Sequence, residues 1–93
     1  MLRCIMSSIL EQICPDAFAE VNNVLASGAV KHDDEFERGE RRSTMLEIEH
    51  AVIHESEFIS GVEYDTETKC HILAHVATRY IFALQNELTK DHS

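Results

Sequence analysis

Histidines and a few clustered cations hold most of the chemistry this chain could perform. His50 and His54 form one His-x-x-x-His pair, and His71 and His75 form another. Residues four apart lie one above the other on a helix, so each pair is predicted to make a short polar stripe on an apolar rod, with a ligand between the stripes. Glu47, His50, His54 and Glu57 fall at i, i+3, i+7 and i+10, which puts them on one face. Such a donor set suits zinc or another divalent transition metal. A histidine on a helix face is, however, more commonly the partner of a nearby carboxylate, and Glu47, Glu57 and Glu67 are at hand. No resident metal or other cofactor is therefore expected. If a metal were held, the candidate ligands are Glu47, His50, His54, Glu57, His71 and His75.

The cations gather in one place. Residues 31–42, KHDDEFERGERR, contain Lys31, Arg38, Arg41 and Arg42, half of the chain's 8 basic residues, interrupted by a lone Phe36. One reading is a solvated loop that Phe36 anchors to the core. The other is a phosphate-binding flap, because in an acidic protein an anionic ligand must go where the few cations cluster. A magnesium-dependent nucleotide pyrophosphohydrolase of the all-α kind needs Glu-x-x-Glu on one helix and Glu-x-x-Asp on another, so that several oxygens converge on the cation. The only Glu-x-x-Glu here is Glu37 and Glu40, across Gly39, and no Glu-x-x-Asp exists. Glu47, Glu55 and Glu57 do not complete that quartet. Neither a Gly-rich phosphate loop nor a Ser-His-Asp or Cys-His arrangement is recommended by spacing.

Composition narrows the partners. With 17 acidic against 8 basic residues, the net charge of −9 argues against a duplex nucleic-acid surface and against an acidic membrane surface. Residues 1–13 are partly apolar, but Glu11 and the lack of a continuous apolar run exclude a span and argue against a secretory signal. Cys4, Cys14 and Cys70 are odd in number and have no Cys-x-x-Cys spacing, so reduced thiols in a cytoplasm are expected.

These side chains need rods to position them. Leu2, Ile5, Met6, Ile9, Leu10 and Ile13 predict a first amphipathic helix over residues 2–13, and Pro15 breaks it while suiting the start of the next. Phe18, Val21, Val24 and Leu25 give the second helix its face, and Gly28 predicts a stop near Ser27. Ser43 or Thr44 is expected to cap a third helix that ends at Gly61. Val62 to Tyr64 make a turn. A last helix is predicted from Asp65 to Lys90, burying Leu73, Val76, Ala77, Tyr80, Ile81, Leu84 and Leu88.

Read together, these pieces resemble a family of small phage-type domains named for the N-terminal domain of dATP/dGTP diphosphohydrolases. The resemblance covers residues 18–84. It rests on Val24, Leu25, Gly28, Ala29 and Lys31, with His32 in an aromatic place, then on Phe36 and Gly39 in the charged loop. It continues with His54 seven residues before Gly61, with Asp65, Glu67 and Thr68 as D-x-E-T, and with Leu73, Ala74 and His75 as L-A-H. The chain departs from the family pattern at Ile53, where an arginine is common, and at Arg79, where an asparagine is common. The resemblance implies an all-α fold, a purine nucleotide as ligand, and Lys31, His54, Asp65 and His75 as site residues.

The expected architecture is one all-α domain over residues 1–93, a small four-helix bundle with a long C-terminal helical hairpin and a charged loop at 31–42. A dimer or higher oligomer is expected to cover the remaining apolar surface. The expected function is binding of a nucleotide or nucleotide-derived small molecule, as a phage protein that sequesters a nucleotide immune signal in an infected bacterial host. Lys31, Arg38, Arg41, Arg42 and Arg79 would meet phosphates, His54 and His75 would bond phosphate or base, and Phe36 or Tyr64 would stack, with Asp65 added by the resemblance. Two alternatives stand beside it: a magnesium- or manganese-dependent deoxynucleoside triphosphate diphosphohydrolase, and a helical adaptor with no ligand.

Overall fold

A computed structural model describes residues 8–31 and 43–90; the side chains of residues 29–31 lie outside that description. The described chain is all-helical: α1 (Ile9–Ile13), α2 (Pro15–Lys31), α3 (Thr44–Ile59) and α4 (Ile72–Thr89). None of these helices is long and apolar enough to cross a membrane.

Helices α3 and α4 form the hairpin at the centre of the fold. Their antiparallel course is fixed at one end by Thr44 Oγ1 donating to Glu87 at 2.8 Å and midway by Arg79 Nη1 on Glu47 Oε1 at 3.1 Å. Helix α3 starts as predicted, with the Ser43 hydroxyl accepting the Leu46 N–H at 3.1 Å. Its end is equally well defined. Val62 N–H bonds Glu57 C=O, Gly61 N–H bonds Phe58 C=O, and Gly61 takes φ +112°, a conformation that glycine adopts without a Cβ clash.

The last helix departs from expectation. It begins at Ile72 rather than near Asp65, because the Asp65 carboxylate turns the chain instead of starting a rod. Its Oδ2 accepts the N–H groups of Glu67 (3.0 Å) and Thr68 (2.7 Å), Lys69 closes the turn at φ +66°, and Asp65 N–H bonds Cys70 C=O. Tyr64 and His71 then pair as an antiparallel bridge. Helix α2 also differs: it runs through Gly28 to Lys31, with no positive φ at Gly28. A glycine inside a helix costs about 1 kcal/mol relative to alanine, which the flanking helix formers Leu25, Ala26 and Ala29 offset.

The core is built of small residues. Ala51 (0% exposed) meets Ile72 (1%) and Val76 between α3 and α4, while Val24 of α2 packs with Cys70 and Ala74, with Val21 alongside. The predicted core stripe of α4 is corrected accordingly. Of its large residues only Val76 is buried, whereas Leu73, Tyr80, Ile81, Leu84 and Leu88 remain exposed. Alanines at the helix contacts let the backbones approach closely, and α4 turns Ile72, Val76 and Ala83 inward. In α1 no residue is buried.

Candidate functional site

At the loop end of the hairpin, side chains far apart in sequence meet in two small hydrogen-bonded groups, His54 with Glu57 and His75 with Thr68 and Asp65, brought together by the contact of the two imidazoles. Helix α3 supplies His54 and Glu57, the 65–70 turn supplies Asp65 and Thr68, and α4 supplies His75 from its first turns. The imidazoles of His54 and His75 lie 5.0 Å apart, centroid to centroid, tilted by 30°. His54 Nδ1 sits 3.0 Å from Glu57 Oε1, and because a carboxylate accepts, Nδ1 carries the proton. His75 Nε2 lies 2.8 Å from Thr68 Oγ1, which also accepts the Cys70 N–H at 3.2 Å.

Thr68 in turn donates its backbone N–H to Asp65 Oδ2 at 2.7 Å. The result is a chain from His75 through Thr68 to Asp65. His75 is buried, and that burial, with the neighbouring His54 and Arg79, holds its pKa below the ordinary histidine value despite Asp65 and Glu57. Burial alone would raise the Asp65 carboxyl, but the Thr68 N–H and hydroxyl and the Glu67 N–H outweigh it and hold the group low. The His75 imidazole and the anchored Asp65 carboxylate thus stand on either side of Thr68.

The remaining expected site residues fall in different places. The second His-x-x-x-His pair is not a helical stripe, since His71 is the N-cap of α4 and its Nδ1 accepts the Leu73 N–H at 3.1 Å. Its ring lies between Phe58 (5.8 Å) and Tyr64 (5.1 Å). Its backbone N–H donates to Glu20 Oε2 at 2.8 Å, tying α2 to the hairpin. Arg79, expected at a phosphate, directs Nη1 to the buried carboxylate of Glu47. Breaking such a pair by removing one partner costs about 3–5 kcal/mol, because the other charge is left buried. His50 is partly buried on α3. Lys31 ends α2 and its side chain is outside the description, as are Phe36, Arg38, Arg41 and Arg42 altogether.

Among the described residues, no three His, Cys, Asp or Glu side chains converge where an ion could sit. Glu47 is engaged by Arg79, His54 Nδ1 by Glu57, His71 Nδ1 by a backbone N–H, and His75 Nε2 by Thr68. As arranged, these donors do not fit a divalent cation.

Sequence reasoning had not placed Thr68, Glu20 or Phe58 in the site. Thr68 carried a usable signal, an Asp followed three residues later by a hydroxyl, which is a pattern for a side-chain-closed turn. Glu20 reaches His71 across 51 positions and carried none.

His54, Asp65, Thr68 and His75 are also among the residues on which the family resemblance rests. A family profile described as dATP/dGTP diphosphohydrolase, N-terminal, matches residues 6–93. The chain belongs to that family. No curated protein and no solved structure matches it. In this member of the diphosphohydrolase N-terminal family, the motif pieces around His54, Asp65–Thr68 and His75 meet where the hairpin loop closes, beside the two tilted imidazoles.

Proposed function

We propose that this domain binds a purine nucleotide or a nucleotide-derived small molecule at the loop end of the α3–α4 hairpin. One observation carries the reading: the motif residues His54, Asp65, Thr68 and His75 come together at the hairpin loop, His75 bonded to Thr68, Thr68 to Asp65, and the His54 ring against that of His75, in a family named for enzymes acting on dATP and dGTP. The partly buried His54, its Nδ1 held by Glu57, meets the ligand, while His75, Thr68 and Asp65 hold the loop that follows Tyr64. Lys31, Arg38, Arg41 and Arg42 supply phosphate contacts, Arg79 supplies the guanidinium N–H groups not turned to Glu47, and Phe36 or Tyr64 stacks on the base. In the cytoplasm of a phage-infected bacterium, such a binder sequesters a nucleotide signal without consuming it. The competing reading is a metal-dependent diphosphohydrolase, which the family description favours and the donor arrangement does not.

Thermal melting against deoxynucleotides, cyclic oligonucleotides and ADP-ribose derivatives tests this. A ligand of the folded state adds about 2.7 kcal/mol of stability at a hundredfold excess over Kd. His54→Ala and Lys31→Ala are expected to weaken the shift. Ligand recovered intact after incubation with magnesium or manganese supports sequestration, while catalytic release of pyrophosphate and a monophosphate gives the case to the enzyme. No shift with any nucleotide overturns both and leaves a helical adaptor.

A further inference from the structure

Beside the hairpin loop runs a groove of about 450 Å³, between the first half of α2 and the start of α4. That size falls in the range of small-molecule pockets. Its walls include Asp16, Glu20, Tyr64, His71, Ala74 and Ala77. The alanines keep it shallow and flat, and the Tyr64 and His71 rings meet edge to face at 66° on one side.

The charges of the groove decide what fits. Among the described residues it is lined by two carboxylates and by no lysine or arginine. The Glu20 carboxylate is fixed: Oε2 accepts the His71 N–H at 2.8 Å and Oε1 accepts from Asn23 at 3.1 Å. Each of these oxygens keeps a second lone pair. The Asp16 carboxylate lies on the same wall one helical turn before Glu20. A phosphate is repelled by this pair, whereas a flat ring bearing N–H donors is matched by it.

We propose that this groove is the base subsite of the nucleotide site, selecting bases that carry an exocyclic amine by donation to Glu20 and Asp16. The inference rests on the nucleotide reading above and adds the orientation. The base enters between α2 and α4, Tyr64 and His71 flank its ring, and the phosphates stay outside, away from both carboxylates. His71 joins the two parts, lining the groove one turn before His75.

Titration calorimetry with base analogues tests it. Nucleotides that differ by one amine, dGTP against dITP and dATP against the purine analogue lacking the 6-amine, are compared on the whole chain. A hydrogen bond to a charged group predicts at least about tenfold tighter binding of the amine-bearing member. Glu20→Gln keeps an acceptor for the His71 N–H and removes the charge, so the preference is expected to fall to within about twofold, counting its loss as most of that charged bond. Ala77→Phe fills the groove and is expected to abolish nucleotide binding while inorganic pyrophosphate binds as before. If wild-type protein binds nucleotides and both variants keep the same affinity and preference, the groove is not the base subsite and the nucleotide reading survives. If no nucleotide binds wild-type protein, the reading falls and the subsite falls with it.

Discussion

His75 shows what a single residue can reveal about this site. A histidine four positions after another has the spacing of a helical metal-binding pair, yet here it is a buried ring held by Thr68 and tilted 30° against His54. The sequence singled out position 75 through the family resemblance; its bond to Thr68 was not foreseen, because Thr68 lies in a turn the periodicity did not show. The folded-state pKa of His75 lies below its ordinary 6.5, so just under that pH the unfolded chain binds more protons than the folded one. Stability is therefore complete above about pH 6.5 and falls as pH drops below it. Asp65 is also lowered, and its contribution is lost in a second step as pH falls below its ordinary 3.8. Denaturant melts of wild type and His75→Gln across pH 4 to 7 measure the first step. The wild-type slope below about pH 6.5 is expected to flatten in the variant, and equal slopes would show that His75 is not the group responsible.

Among the elements, helix α3 was readable at both ends, because Ser43 and Gly61 act through local backbone chemistry. The other boundaries turned on choices that several residues share. Asp65 can cap a helix or close a turn with equal local logic, and the pairing of Tyr64 with His71 settles it for the turn. Gly28 can end a helix or sit within one. A Cβ at Gly28 would meet nothing within 4 Å, and its backbone is not left-handed. Gly28→Ala is therefore expected to stabilise the protein by about 0.4–1 kcal/mol in chemical denaturation. A loss of stability would place a helix stop at Gly28 after all.

For the molecule as a whole, the all-helical class and the central hairpin followed from period 3.6 patterning. The identity of the core did not. Helix α4 is apolar on more than one side, and periodicity cannot say which side faces α3 when the contact is made by alanines. The exposures of Ile72 (1%) and Leu84 (58%) separate the two possibilities. Ile72→Ala is expected to cost about 2–5 kcal/mol, whereas Leu84→Gln in dilute protein should change stability by less than about 0.5 kcal/mol. The reverse order would restore the outer stripe of α4 as the core. Sedimentation of the same Leu84→Gln variant tests the oligomer expected from the sequence, since an assembly held through that face would dissociate.

Nucleotide binding at the hairpin loop is tested most directly by imidazole ¹⁵N and backbone amide NMR during titration with dGTP and dATP. Binding at this site predicts saturable shifts of the His54 and His75 rings and of the Thr68 and His71 amides, with Thr44 and Glu87 at the far end of the hairpin unmoved. A nucleotide that saturates the protein while leaving those rings and amides unchanged, or that shifts only the far end, would contradict it.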